Sequence, residues 1–88
     1  MLIIHEMSLM SEVLHVVSED ARTRKITQVH EITVLVGDLS NVLSDALELA
    51  FQYFQKQGLT LINENTNLQI IRETTREEFF RLIGTNLH

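Results

Sequence analysis

Val29-His30-Glu31-Ile32-Thr33-Val34-Leu35-Val36-Gly37-Asp38 is the stretch that decides how the rest of the chain is read. Side chains along a strand point alternately to opposite faces. His30, Ile32, Val34 and Val36 would therefore share one face, and Val29, Glu31, Thr33 and Leu35 the other. The β-branched Val29, Ile32, Val34 and Val36 suit a pleated, half-buried surface, and Gly37 offers a stop. The flanking segments have a different period. From Ser8 to about Arg24, Leu9, Met10, Val13, Leu14, Val17 and Ala21 recur at three- and four-residue spacing, the mark of one helix face. Ser8 is an eligible N-cap for that helix. A second helix is predicted from near Ser44, where Asp45 and Glu48 suit the positive end of the helix dipole. Leu47, Phe51 and Phe54 line its apolar face, and Gly58 supplies a stop.

Two more strands complete the reading. Leu2-Ile3-Ile4-His5 is one, and Asn67–Glu73 is the other, with Leu68 and Ile70 alternating against Gln69 and Ile71. Thr75-Arg76-Glu77-Glu78 has the form of a capping box, which predicts a short helix through Ile83 with Gly84 as its stop. The order β-α-β-α-β-α points to an α/β (α+β) fold: a small three-stranded mixed sheet covered by two helices, with a short C-terminal helix. No proline, linker, repeat or low-complexity tract divides the 88 residues, so residues 1–88 are expected to form a single domain.

Composition removes whole classes of function. Twelve acidic residues against seven basic ones give a net charge of −5, which suits neither nucleic-acid phosphates nor an anionic membrane surface. No apolar run approaches a membrane span, and the start lacks the pattern of a signal peptide, so a cytoplasmic location is expected. Cysteine is absent, which excludes disulfides, thiolate chemistry and zinc held by four cysteines. There is no Ser–His–acid set, Gly-rich phosphate loop or convincing carboxylate pair for acid–base work, so the chain is not expected to be an enzyme.

Five short stretches follow one another in order: His5-Glu6-Met7-Ser8-Leu9, Val36-Gly37-Asp38-Leu39-Ser40, Asp45-Ala46-Leu47, Ala50-Phe51 and Leu68-Gln69-Ile70-Ile71. Over roughly residues 5 to 73, this set resembles the N-terminal domain of the hydrogenase nickel-incorporation proteins, the HypA (HybF) family. The resemblance implies a nickel-binding-type domain and a metallochaperone. Such a protein carries Ni(II) to a [NiFe]-hydrogenase, or to urease, together with other maturation proteins. In the family, the metal is held by the α-amine, backbone amides and the histidine that follows the first methionine, a flat nitrogen set that suits Ni(II). That histidine corresponds to His5, with Glu6 as its carboxylate neighbour, and these two are the candidate metal residues. Leu2, Ile3 and Ile4 set His5 apart from the amine of Met1, so the imidazole would need other donors. The two Cys-x-x-Cys pairs that hold zinc in the family have no counterpart in Glu73-Thr74-Thr75-Arg76-Glu77, and a family acid near the metal is replaced by Leu43.

Each residue also has a plainer reading. His5-Glu6 could be only a strand-to-helix junction, with Glu6 favouring the helix start. Glu12-x-x-His15 makes a di-metal site only when a second helix matches it, so a solvated pair is expected, with His15 facing Glu19. His30 fits the edge of the core and, on a neighbouring strand, could approach His5; His88 is terminal. Asp38 can bond its own turn backbone, and the groups Phe51-Tyr53-Phe54 and Phe79-Phe80 fit core and contact roles. The alternative to a nickel carrier is therefore an interaction module of the same fold that no longer binds metal. It would act through protein contacts or as a homodimer that covers the apolar residues of the C-terminal segment.

Overall fold

The computed structural model describes residues 2–58, 61–74 and 80–87, and for residues 2–4, 39 and 80–87 it describes the backbone alone. Helix α1 (Leu2–Thr23) opens the chain and is followed by strand β1 (Val29–Gly37) and a short 3-10 helix (Asp38–Ser40). Helix α2 (Ser44–Gln55) comes next, then strands β2 (Asn67–Glu73) and β3 (Phe80–Leu87). The sheet order is β2-β1-β3. β1 and β2 run parallel, from Glu31 opposite Asn67 to Gly37 opposite Glu73. A parallel pair needs a long crossover, and α2 lies within it. β3 runs antiparallel along the other edge of β1, from Val29 opposite Leu87 to Val36 opposite Phe80.

The central strand alternates as its sequence predicts only from Glu31 to Val34; at its start Val29, placed by parity on the other face, is fully buried in the core and His30 is half-buried. Ile32, Val34 and Val36 are fully buried and pack with Met10, Val13, Leu14 and Val17 of α1, and with Leu47, Ala50 and Phe51 of α2. Leu35, on the opposite parity, is also buried, while Glu31 and Thr33 beside it are half-buried.

Two expectations are corrected. Residues 2–5 are not a strand: α1 runs unbroken from Leu2, and Ser8 lies inside it rather than capping it. Nothing between Ile4 and Leu9 interrupts a helix, and Glu6, Met10, Val13 and Val17 continue one face at four-, three- and four-residue steps. The third strand of the sheet is instead the C-terminal one, where a helix through Ile83 was predicted. Residues 75–79, with the capping-box pattern, lie outside the described residues. From Phe80 the backbone pairs with the free edge of β1. The register slips between Thr33 and Val34, which lie opposite Gly84 and Leu82. Gly84 thus belongs to a bulged strand, a common place for glycine, and not to a helix end.

Candidate site at the start of α1

Glu6 sits on the core face of α1 and is fully buried. Its Oε2 accepts a hydrogen bond from the backbone N–H of Leu43 at 2.9 Å, which ties the first turns of α1 to the residue preceding α2. Its Oε1 is buried with no hydrogen-bond partner. His5 is one position earlier, about 100° around the helix, and is exposed. The two candidate metal residues therefore diverge: the imidazole faces outward and the carboxylate faces the loop before α2.

That loop is shaped by its own residues. Ser40 Oγ donates to Gly37 O at 2.7 Å and accepts from the Val42 N–H at 3.2 Å. Asn41 takes the left-handed conformation at φ 62°, a geometry asparagine tolerates better than most residues, and Val42 is buried in the core beyond it. The bond to the turn backbone is thus made by Ser40. Asp38 pairs instead with Arg72 near the end of β2, Nε to Oδ1 at 3.0 Å. Arg72 Nη1 also donates to Val42 O at 2.9 Å and to Ser44 Oγ at 3.0 Å. Thr74 Oγ1 donates to Asp38 Oδ2 at 3.4 Å.

Of the other histidines, His15 and His30 are described, and His88 lies outside the described residues. His15 is exposed on α1, and Glu19 is engaged by Arg22 at 2.7 Å. His30 is half-buried on β1; His5 lies on a helix, so the two are not on neighbouring strands. Among the described residues, no group of three or more His, Asp or Glu side chains is placed to hold a metal ion. Among those residues too, no helix is long and apolar enough to cross a membrane. Arg72 and the Leu43 amide were missed from sequence. The only hint was that Glu6 falls four residues before Met10, on an apolar face where a carboxylate needs a partner.

The fold has known counterparts. The solution structure of the Ni metallochaperone HypA from Helicobacter pylori superposes with a TM-score of 0.77, at 16% identity, over 93% of this chain and 96% of that one. Sequence likeness goes further than architecture. The chain matches the family described as hydrogenase/urease nickel incorporation, metallochaperone, HypA, across residues 4–78, and it belongs to that family. Among curated relatives, the hydrogenase maturation factor HypA of Lawsonia intracellularis is 32% identical over 50 residues, 57% of this chain and 42% of that protein. The factor of the same name from Moorella thermoacetica is 29% identical over 72 residues, 82% of this chain and 61% of that protein. The chain thus spans about half the length of the curated relatives it matches.

Proposed function

We propose that this domain carries Ni(II) as cargo during maturation of a [NiFe]-hydrogenase or of urease, working beside other cytoplasmic maturation proteins and catalysing no reaction itself. His5 is the side-chain ligand in this reading, and Glu6 fixes the turn of α1 that presents it. The observation that carries the proposal is the pairing of an exposed imidazole with a buried, backbone-anchored carboxylate at the start of α1, in a chain of the nickel-incorporation family. An imidazole with few protein co-ligands leaves open positions on the metal. Open positions suit an ion that is to be handed on, whereas a closed site would retain it.

Isothermal titration of Ni(II) into the untagged protein tests the reading. Micromolar binding that is lost in His5→Ala is expected. Absence of binding, or binding unchanged by that substitution, overturns it. A second reading is favoured by the divergence of His5 and Glu6: an interaction module of the same fold that no longer takes metal and acts through protein contacts or a homodimer. It predicts no nickel binding, together with association on sedimentation, either with itself or with a maturation protein.

A further inference from the structure

The Val42–Leu43 peptide group makes both of the contacts that hold it. Its carbonyl oxygen accepts from Arg72 Nη1 at 2.9 Å, and its N–H donates to Glu6 Oε2 at 2.9 Å. The negative end of this peptide dipole therefore faces a guanidinium and its positive end faces a carboxylate. Each charge polarises the peptide in the sense that strengthens the other bond. Glu6 is fully buried with one oxygen unpartnered, and a buried carboxylate is retained only where charge and hydrogen bonds compensate it. Arg72, itself ion-paired with Asp38, stands at the other end of that peptide. Arg72 is held in place by Asp38 through Nε and by Ser44 Oγ through Nη1, so its fork is aimed before it reaches Val42.

We propose that Arg72 is a positioning residue for the start of α1, acting through the Val42–Leu43 peptide on Glu6 and, one residue earlier, on His5. The effect on metal rests on the nickel-carrier reading; the relay itself does not. A purely structural role for Arg72, as an ion-pair clamp on Asp38, would make Asp38→Asn and Arg72→Met equivalent. The relay makes them differ.

The test combines the amide proton resonance of Leu43 with Ni(II) titration. Arg72→Met is expected to move the Leu43 amide proton upfield, as a less polarised donor, and to weaken Ni(II) binding about tenfold, as loss of an outer-shell partner does. Asp38→Asn removes the ion pair but keeps an Oδ1 acceptor for Arg72 Nε, so both changes should be clearly smaller than those of Arg72→Met. In a Glu6→Gln background, Arg72→Met should produce a smaller shift than in the wild type, because the two ends of one relay are coupled. If Arg72→Met does not fold, Arg72→Lys takes its place in the same cycle, expected to shift the amide in the same direction by less. An unmoved Leu43 amide, additive shifts in the cycle, or equal losses in Asp38→Asn and Arg72→Met would overturn the proposal. If the wild-type protein binds no Ni(II), the carrier reading fails, and the Leu43 resonance alone decides whether the relay exists.

Discussion

Lys25 adopts a φ of 60° with a Cβ in place, a conformation that costs an L-residue about 1–2 kcal/mol. It does so because α1 ends in a Schellman motif. The Ile26 N–H reaches back to Ala21 O at 2.8 Å, and the Lys25 N–H reaches Arg22 O at 3.1 Å. Both bonds satisfy carbonyls that the helix end would otherwise leave open. Glycine is the usual occupant of this position, so in the sequence only the loss of periodicity near Arg24 marks the stop, within one residue of the helix end at Thr23. Lys25→Gly is therefore expected to stabilise the domain by roughly 0.5–1 kcal/mol, the relief of strain less the added entropy of an unfolded glycine. Urea unfolding, read as a higher midpoint at unchanged slope, measures it. A lower midpoint would mean that the lysine side chain contributes something the helix end does not explain.

At the scale of elements, the turn joining α2 to β2 is fastened by polar side chains rather than by apolar packing alone. Thr66 is buried, and its Oγ1 donates to Val29 O at 2.6 Å while accepting from the Asn63 N–H at 3.1 Å and from Gln28 Nε2 at 3.2 Å. Gln55 Nε2 adds bonds to Asn63 O and Thr66 O, each at 2.9 Å. Thr66→Val keeps the volume and removes the hydroxyl, so it should cost about 1–3 kcal/mol by leaving buried groups unsatisfied; a change below about 0.5 kcal/mol in thermal or urea unfolding would reject this account. Apart from the local Asn63–Thr66 bond, these partners could not be paired from sequence, because the bonds join segments whose approach is set by the fold. β2 itself was legible to the residue, Asn67–Glu73, since its alternation is local. The ends of the chain were not. Leu2-Ile3-Ile4 is too short an apolar run for periodicity to separate helix from strand. At the C-terminus, the helical signal was local, whereas the backbone pairing that makes β3 depends on the unpaired edge of β1. The candidate site divides in the same way. His5 and Glu6 were visible as a motif, but the direction of each depended on α1 beginning at Leu2, and Arg72 depended on β2 ending beside the loop before α2.

For the molecule as a whole, the question is whether metal holds the fold or only visits it. Met10, Val17, Ile32, Val34, Val36, Leu47 and Ile62 form a buried cluster that joins both helices to the central strand, and the chain has no cysteine to build a zinc knot. Apolar burial of this kind is the main favourable term in folding, so the nickel-free protein should unfold at the same temperature with and without a strong chelator. On the proposed reading, nickel enters as a ligand of the native state. By mass action, Ni(II) at a hundred times its dissociation constant should add about 2.7 kcal/mol, and for a domain of this size that raises Tm by about 10 °C or more. His5→Ala should abolish the increase while leaving the nickel-free Tm nearly in place, because an exposed imidazole contributes little to packing. The two halves of this prediction fail separately. A chelator-sensitive fold would show that metal is structural, and a Tm insensitive to Ni(II) would show that His5 holds none. A rise that survives His5→Ala would place the cargo on other side chains and leave the start of α1 as a docking element.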